Sequence, residues 1–380
     1  MSAPIVILGA GLAGHSVARE LRKLDKGVRI TMVAADSGAY YSKPSLSNAF
    51  RAGKTADGLV IGSAVDMSRQ LDIEILADTT VDAIEVSNRR LYMNGKPIEY
   101  SQLVLALGAD PIKLPLIGNA IAAPSNVNDL ASYALLREKL ADAHDVTIIG
   151  AGLVGCEFAN DLADAGYRVT VIDSMTQALG RMCPPECAIA LQEALSLLGV
   201  RWCLGRQVKG MSADGVRAVI DLDTGESIHC DVVLSAIGLR PRTSIARQAG
   251  LATSHGIVTD SYLGTSAEGV YAIGDCAEMH GRVRAFVMPI MIGARALAQT
   301  LAGNKTDVRY PHMPVAVKTP ALPLVVLPPE QDADGRWQIS GTGADRRALF
   351  RDQKDNIRGF IVTGSFASEK ASILKSMAAA

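Results

Sequence analysis

The sequence predicts an α/β chain with two Rossmann-like domains followed by a small α+β domain. Two copies of the motif Gly-x-Gly-x-x-Gly predict the first part, one at residues 9–14 and one at residues 150–155. Each copy stands between an apolar, strand-like run and a stretch with helical spacing, as this turn does in a dinucleotide-binding βαβ unit. Proline-rich, strand-like segments after Gly303, such as residues 315–327, predict the last domain.

The elements around the first motif form one βαβ unit. Residues 4–8 predict a strand, residues 15–23 a helix and residues 28–33 a second strand. The second motif has the same surroundings, with a strand, a helix and a strand predicted at residues 146–149, 156–165 and 168–172. The chain therefore repeats one architecture.

Two further apolar runs mark the domain boundaries. Residues 103–108 and 232–238 both end in glycine and predict buried strands through which the chain leaves the first domain and returns to it. We therefore predict three domains, namely a discontinuous one of residues 1–110 and 232–307, an inserted one of residues 111–231, and a C-terminal interface domain of residues 308–380.

Composition limits the classes of function. The 380 residues are 48% hydrophobic and 20% charged with a net charge of −1, which is typical of a globular protein and offers no basic surface for nucleic acid. No apolar run reaches the roughly 18 residues of a membrane-spanning helix, and the first residues lack a signal-peptide pattern. We expect a cytoplasmic protein without membrane insertion, and a monomer is one expectation for its assembly.

The two glycine motifs predict the chemistry of the first two domains. The first glycine makes a tight turn, the second lets the backbone approach a pyrophosphate, and the third lets the helix meet the strand. The helix N-terminus then directs unpaired N–H groups at the phosphates. The residues expected to contact the two dinucleotides are Gly9, Gly11, Leu12, Ala13, Gly14, Gly150, Gly152, Leu153, Val154 and Gly155.

The residue after the second strand of each unit distinguishes a free ribose from a 2′-phosphate. Asp173 ends the strand at 168–172, and the next seven residues contain no Arg or Lys, which favours NADH over NADPH. In the first unit Ala34 and Ala35 precede Asp36, so Asp36 is the candidate there. The alternative for Asp36 is a solvated loop carboxylate.

Several segments resemble one family. The two motifs, the run 270–275 that ends in Gly274-Asp275 and the run 236–241 resemble the flavoprotein reductases with two dinucleotide-binding domains of the glutathione reductase type. Residues 41–47, 155–161, 287–289 and 317–320 are similar to the rubredoxin reductases of that superfamily, which serve bacterial alkane oxidation. The flavorubredoxin reductases of nitric oxide detoxification are the alternative.

The resemblance implies FAD in the first domain and NADH in the second. Asp275 would hydrogen-bond the ribityl chain, the backbone near Val287 would approach the pyrimidine edge of the flavin, and Val81 would lie near the adenine. Lys43, Glu157 and Lys318 would surround the isoalloxazine, with Lys43 and Glu157 as a pair and as the catalytic candidates. Further expected cofactor contacts are Ala34, Pro44, Ala106, Gly108, Gly238 and Gly274.

Alternatives remain open for two of these residues. From the residues alone, Lys43 is a solvated loop lysine and Glu157 an exposed helix position. Many related ferredoxin reductases carry Lys where this chain has Asn48, so any role of that lysine falls to Lys43 or is absent.

The six cysteines argue against a thiol relay. Disulfide reductases of this superfamily need a close pair of cysteines near the flavin, and other members need a single one in the loop at 42–47, but no cysteine precedes Cys156. Cys183 and Cys187 lack a second pair to complete a metal site, so no metal is expected.

Electrons would therefore leave the flavin directly. The expected function is an FAD-dependent reductase that moves electrons from NADH to rubredoxin, a small acidic iron–sulfur protein, and supplies an alkane hydroxylase system. Reductases of flavorubredoxin or of an oxygenase's ferredoxin are alternatives. A protein of another class, an FAD- and NAD-binding redox sensor without turnover, also remains open.

Overall fold

The computed structural model describes residues 3–114, 117–118, 123–330 and 332–378. The chain divides into two compact units. The first unit comprises Met1–Lys43, Leu59–Asp110 and Leu239–Pro311, and the second comprises Pro44–Gly58, Pro111–Gly238 and His312–Ala380.

Helices and strands alternate around the two glycine motifs, and consecutive strands follow one another elsewhere in the chain. The helices are α1 (Leu12–Leu24), α2 (Ala64–Leu71), α3 (Leu130–Leu140), α4 (Leu153–Asp164), α5 (Pro185–Leu197), α6 (Ser244–Gln248), α7 (Val287–Leu301) and α8 (Lys370–Ala378). Short 3-10 helices lie at Lys43–Asn48, Asp57–Leu59, Gly180–Met182, Gly274–Cys276 and Gly364–Glu369. The strands are β1 (Ile5–Leu8), β2 (Ile30–Val33), β3 (Tyr40–Tyr41), β4 (Val60–Gly62), β5 (Glu74–Leu76), β6 (Ala83–Glu85), β7 (Arg90–Met93), β8 (Lys96–Glu99), β9 (Gln102–Leu105), β10 (Ala109–Pro111), β11 (Ile117–Gly118), β12 (Asp145–Ile149), β13 (Arg168–Asp173), β14 (Arg201–Leu204), β15 (Val208–Asp214), β16 (Arg217–Leu222), β17 (Ser227–Cys230), β18 (Val232–Ser235), β19 (Leu239–Pro241), β20 (Ile257–Thr259), β21 (Val270–Ala272), β22 (Ala277–Met279), β23 (Arg282–Val283), β24 (Val315–Val317), β25 (Leu324–Leu327), β26 (Gly335–Thr342), β27 (Asp345–Asp352) and β28 (Ile357–Thr363).

A five-stranded parallel sheet forms the centre of the first unit. Its strand order is β21-β9-β1-β2-β5, and every neighbouring pair is parallel. All four residues of β1 are buried, as expected of a parallel strand that is covered on both faces. Helices α1 and α7 pack against each other beside this sheet. The antiparallel sheet β6-β7-β8 and the small sheet β20-β22-β23 complete the unit.

The second unit contains a parallel sheet of strand order β14-β13-β12-β18. Its residues Ile149, Ile172 and Val233 belong to one core with Ile220 and Leu222 of the sheet β11-β15-β16-β17. The βαβ connection β12–α4–β13 repeats the β1–α1–β2 connection of the first unit. The two predicted Rossmann-like folds are therefore confirmed.

The C-terminal part of the second unit is a five-stranded antiparallel sheet, in the order β24-β25-β28-β27-β26. Helix α8 buries Ile373 and Met377 against Phe360 and Val362 of β28. Helix α5 packs against β27 and β28 as well. This sheet with its helix confirms the predicted α+β fold of the last segment.

The strands end earlier than the sequence predicts at two boundaries. The runs predicted to 108 and 238 stop at Leu105 and Ser235. Gly108 and Gly238 have φ angles of +72° and +114°, in a region that a regular strand does not enter, so each run turns before its glycine.

The path of the chain between the units was only partly expected. The chain passes to the second unit at Pro111 and back after Gly238, but Pro44–Gly58 also groups with the second unit although the prediction placed it in the first domain. The assignment of domains to cofactors stays a prediction. Among the described residues, no helix has the length and apolarity that crossing a bilayer requires.

Candidate functional site

The first glycine loop joins β1 to α1. Gly9 has a φ angle of +111°, and a Cβ atom there would overlap the carbonyl oxygen of Ala106. A Cβ atom on Gly14 would overlap the carbonyl oxygen of Gly9. These two glycines are therefore required by the protein's own backbone, which holds the loop against the strand end at Ala106.

The second glycine loop has the same geometry between β12 and α4. Gly150 also has a φ angle of +111°, and its Cβ atom would meet the carbonyl group of Ala236. A Cβ atom on Gly155 would overlap the carbonyl oxygen of Gly150. The two loops thus turn in the same way, each against the end of a neighbouring strand.

The middle glycine of each loop is different. Gly11 and Gly152 have ordinary φ angles of −74° and −73°, and a Cβ atom on either would meet no protein atom within 4 Å. Nothing in the described part of the chain therefore requires glycine there. Each of them begins a helix without a side-chain cap, so the first N–H groups of α1 and α4 remain available to an anion. This arrangement fits a dinucleotide pyrophosphate at each loop.

Asp173 ends β13 beside the second loop. Its carboxylate accepts hydrogen bonds from the backbone N–H of Ala151 at 2.6 Å and of Met175 at 2.7 Å. These bonds fix the carboxylate against the glycine loop. Each oxygen keeps a further lone pair, so the fixed group can still accept a ribose hydroxyl.

Arg206 lies next to Asp173 in the structure, which the sequence did not indicate. The backbone N–H of Arg206 donates to the carbonyl oxygen of Asp173 at 3.0 Å, and that of Gly205 donates to Met175 at 2.8 Å. The segment therefore reaches this place from the end of β14, the neighbouring parallel strand. The residues that directly follow Asp173 in the sequence do not include Arg206.

In the first unit, Ala34 and Asp36 follow β2. Ala34 is buried, and its backbone bonds to Leu76 and Thr79. Asp36 is exposed and accepts a hydrogen bond from the backbone N–H of Gly38 at 3.0 Å, which makes it a turn residue. A role of Asp36 at a ribose stays a prediction.

Asp275 and Lys43 approach each other in the first unit. Their closest charged atoms, Lys43 Nζ and Asp275 Oδ2, are 3.9 Å apart. Asp275 sits in the 3-10 helix after β21, and Gly274 before it has a φ angle of +81°. Burial raises the pKa of the Asp275 carboxyl, and the positive charge of Lys43 opposes that rise. The carboxylate is thus partly desolvated and suited to a hydroxyl donor.

Helix α7 begins at Val287 with exposed apolar side chains. Val287 and Met288 are both exposed, and the residue before them, Phe286, provides no side-chain cap. An uncapped helix end with an apolar surface fits a flat ring with a polar edge, as in a flavin.

A buried polar cluster surrounds Glu157 in the second unit. Glu157 is only 6% exposed, and its Oε2 atom lies 2.7 Å from Lys318 Nζ. Ser47 Oγ donates to the same oxygen at 2.6 Å. The ammonium group of Lys318 also donates to Ser47 Oγ at 2.7 Å and to the carbonyl oxygen of Pro44. The alternative of an exposed helix position for Glu157 is therefore wrong.

The expected pair of Lys43 with Glu157 stays a prediction, and within its own unit each of these residues has another charged partner. Glu157 is paired with Lys318, and Lys43 is paired with Asp275. Lys318, 161 residues away from Glu157 in the chain, is bonded to it through both its backbone N–H and its ammonium group.

The other expected cofactor residues lie at strand ends or beside a core. Ala106 is buried at the end of β9. Among the described atoms, a Cβ atom on Gly108 would meet none within 4 Å, and one on Gly238 would meet only Ile112 Cδ1, at 3.5 Å. Val81 packs partly buried against a core of the first unit. Contacts of these residues with a cofactor stay predictions.

The sequence missed three residues beside Glu157. Ser47, Asn160 and Asp161 are buried and hydrogen-bonded to residues far away in the chain. The signal in the sequence was two consecutive polar residues, Asn160 and Asp161, within the mainly apolar segment 153–163.

All six cysteines are free thiols. Five are buried and Cys203 is half-buried. Burial raises the pKa of Cys156, Cys183 and Cys187 to about 12 and that of Cys276 to about 11. Thiols in this state are poor nucleophiles at neutral pH. Within the described residues, no group of three or more His, Cys, Asp or Glu side chains could hold a metal ion.

Two uncapped glycine loops in two Rossmann-like folds define a class of protein that binds two dinucleotides. The family model "Pyridine nucleotide-disulphide oxidoreductase" matches residues 3–318, and the chain belongs to this family. A second model, "Rubredoxin binding C-terminal domain", matches residues 307–377. Membership implies FAD and NADH as cofactors, which the loop geometry fits.

Individual relatives are similar along the whole chain. The rubredoxin-NAD(+) reductase of Alcanivorax borkumensis is 44% identical over 377 residues, covering 99% of each chain. The enzyme of the same name from Acinetobacter baylyi is 45% identical over 375 residues, covering 97% of this chain and 95% of its own. A solved ferredoxin reductase from Rhodopseudomonas palustris has a TM-score of 0.86 and 27% identity, covering 95% of this chain and 91% of its own.

Proposed function

We propose that the protein is an FAD-dependent reductase that moves electrons from NADH to rubredoxin. The observation that carries this proposal is the match of residues 307–377 to a rubredoxin-binding domain in a chain with two dinucleotide loops. The full-length similarity to two rubredoxin-NAD(+) reductases supports it.

The two glycine loops would hold the two dinucleotides. Gly9, Gly11 and Gly14 with the start of α1 would bind the pyrophosphate of FAD, and Gly150, Gly152 and Gly155 with the start of α4 would bind that of NADH. When bound, FAD supplies the hydride acceptor and releases electrons to a one-electron carrier. The protein's own task is to orient the two cofactors.

Charged residues of each unit would tune the two sites. In the first unit, Asp275 would bind the ribityl chain while Lys43 holds a positive charge beside it, and α7 would present Val287 and its uncapped N-terminus. In the second unit, the ion pair of Glu157 and Lys318, whose two charges cancel, would face the nicotinamide. These roles are proposed from the geometry of each unit together with the family resemblance.

Direct electron transfer suits the state of the cysteines. A thiol relay needs a thiolate and a second thiol within reach, and the high pKa values of the buried cysteines keep them protonated. An iron–sulfur protein that takes single electrons needs no such relay.

The decisive experiment mixes the FAD-loaded protein with NADH under anaerobic conditions and follows the flavin absorbance. We expect rapid bleaching, followed by steady turnover when rubredoxin is added. Flavorubredoxin and an oxygenase ferredoxin are tested at the same concentration. Faster turnover with either one would assign that acceptor instead, and NADH binding without bleaching would identify a sensor without turnover.

The physiological setting is a further part of the proposal. We propose that the protein supplies electrons to an alkane hydroxylase system in the cytoplasm and acts as a monomer. Deletion of the gene should then impair growth on an alkane but not on acetate. Light scattering of the purified holoprotein should give the mass of one 40.0 kDa chain, and a larger mass would refute the monomer.

A further inference from the structure

Helix α4 carries a buried polar face. Glu157, Asn160 and Asp161 lie at positions i, i+3 and i+4, so they share one side of the helix. Their exposed fractions are 6%, 1% and 4%. Burying such groups costs free energy unless hydrogen bonds compensate, so the partners of these side chains indicate what the face does.

The first set of partners belongs to residues 47–51. Asp161 accepts hydrogen bonds from the backbone N–H of Phe50 at 2.8 Å and of Arg51 at 3.2 Å. Ser47 Oγ donates to Glu157 Oε2 at 2.6 Å. This segment is thus held on α4 at two points, three residues apart.

The second set belongs to residues 318–321. Asn160 Oδ1 accepts a hydrogen bond from the backbone N–H of Ala321 at 3.0 Å. Glu157 Oε1 accepts one from the backbone N–H of Lys318 at 3.1 Å. This segment is also held at two points, three residues apart, and on the same helix face.

The ammonium group of Lys318 connects the two segments. An ammonium group has three N–H donors, and here it meets three acceptors, namely Glu157 Oε2, Ser47 Oγ and the carbonyl oxygen of Pro44. Fixing a lysine side chain costs about 2 kcal/mol of rotamer entropy. The hydrogen bonds can offset this cost only if the three acceptors are themselves held in place. Asp161 fixes the segment 47–51, which provides Ser47 Oγ and continues the 3-10 helix that contains Pro44, and Asn160 fixes the segment that carries the lysine.

We infer that Asn160 and Asp161 are positioning residues that hold the Lys318 ammonium group in place. Because Lys318 is a proposed cofactor residue, this inference deepens the proposed function and rests on it for its consequence in catalysis. The positioning itself can be measured without NADH or rubredoxin. Burial raises the pKa of the Asp161 carboxyl even though backbone N–H groups stabilise its charge, which fits a group kept for its hydrogen bonds.

The test measures how fast acetic anhydride modifies Lys318 in the FAD-loaded protein, by peptide mass spectrometry over a range of pH. Asp161→Asn and Asn160→Ala should each speed the labelling of Lys318 about fivefold, the factor that corresponds to about one hydrogen bond. The rates at Lys305 and Lys354, both exposed, should not change.

Asp164→Asn is the matched control. Asp164 lies on the same helix and contacts Arg51 as well, through an ion pair of 2.5 Å, but its side chain is 28% exposed. This variant removes the same charge from α4 and should leave the labelling of Lys318 unchanged. Equal acceleration in Asp164→Asn would overturn the inference, because the effect would then come from the charge of the helix.

A purely structural role of Asn160 and Asp161 would give a different labelling result. If Asp161→Asn and Asn160→Ala lower the melting temperature but leave the labelling rate and its pH profile at Lys318 unchanged, the residues do not position the ammonium group. If Asp161→Asn fails to fold, the Asn160→Ala comparison alone decides by the same criterion. Failure of NADH to bleach the flavin would overturn the proposed function and leave this result standing.

Discussion

Asp173 shows how much one side chain can fix in a nucleotide site. Both of its carboxylate oxygens already accept backbone N–H groups, one from the glycine loop and one from the following turn. The charge is therefore held where the ribose of a bound dinucleotide would lie, and it would repel a 2′-phosphate. The backbone N–H of Arg206 donates to the carbonyl oxygen of Asp173, so this residue lies beside the end of β13.

The first prediction concerns this selectivity. Asp173→Asn should raise the ratio of kcat/KM for NADPH over NADH by about tenfold, because about 1.4 kcal/mol of repulsion is removed. Steady-state kinetics with both nucleotides measure the ratio. Asp214→Asn, an exposed acid of the same unit, is the control. An unchanged ratio would show that Asp173 does not face the ribose.

The second prediction concerns the ion pair of Glu157 and Lys318. Lys318→Met should lower the free energy of unfolding by about 2 kcal/mol, because a buried carboxylate then loses its cation; the cost is below the roughly 3–5 kcal/mol of a fully buried pair since the Lys318 side chain is 31% exposed. The double variant Glu157→Gln/Lys318→Met should recover most of this loss, since no charge remains buried. Urea unfolding of the wild type, the single variants Lys318→Met and Glu157→Gln, and the double variant measures the coupling, and additive effects would contradict it.

The third prediction concerns His15, which is buried in α1 with its ring 4.9 Å from that of Tyr40. Burial, and then the charge of Arg19, lower its pKa from 6.5 to about 4. The folded state thus favours the neutral ring. Its contribution to stability is full above pH 6.5 and is lost as the pH falls from there towards 4.

His15→Phe should therefore remove part of the acid sensitivity. Between about pH 7.5 and about pH 5, the wild type should lose about 2 kcal/mol more stability than the variant. Urea unfolding at both pH values measures the difference. If both proteins lose the same stability, protonation of His15 in the unfolded state is not a cause of the acid sensitivity.

At the scale of elements, the glycine loops separate folding from binding. Gly150 and Gly155 lie against backbone carbonyl groups, whereas Gly152 faces open space with an ordinary φ angle. The same three positions of one motif therefore have different physical reasons. The fold requires glycine at the first and third positions. At the second position, glycine leaves room for a ligand that approaches the loop.

The fourth prediction follows from this difference. Gly152→Val should weaken NADH binding by about tenfold or more while changing the melting temperature little, because the side chain enters only the space of the pyrophosphate. Gly155→Ala should instead destabilise the fold, since its Cβ atom overlaps Gly150. Calorimetric titration and thermal unfolding measure the two effects. A loss of stability in Gly152→Val without a loss of affinity would refute the assignment.

The C-terminal sheet is an element with a candidate partner surface. Its β26 is exposed along almost its whole length. Arginines are frequent in this segment, at positions 336, 346, 347, 351 and 358. Several of them are paired with acids, as Arg347 is with Glu369 and Arg358 with Asp352. Charges at the rim of an interface act mainly on the association rate of a charged partner, and pairing an arginine with an acid reduces that effect.

At the scale of the whole molecule, the net charge of −1 means that steering has to come from local charge. The fifth prediction is that kcat/KM for rubredoxin falls several-fold when ionic strength rises from about 0.05 M to about 0.3 M, as screening shortens the Debye length. The rate of flavin bleaching by NADH serves as the control and should change little. Salt-independent turnover with rubredoxin would exclude electrostatic steering.

The sequence by itself determined the features that depend on neighbouring residues. The spacing of glycines, the alternation of apolar runs and helical stretches, and Asp173 at a strand end are local, so the two Rossmann-like folds and the C-terminal α+β fold could be predicted. The absence of cysteine before Cys156 is likewise a property of the chain alone.

Only the tertiary structure decided which distant residues meet. Ser47, Glu157 and Lys318 are separated by 110 and 161 residues, and Asp161 reaches back to Phe50 across 111. No local pattern encodes such contacts, because they arise when separate segments pack on one helix face. The sequence therefore named Glu157 but not its pairing with Lys318, because that pairing depends on which distant cation the fold brings to a buried carboxylate.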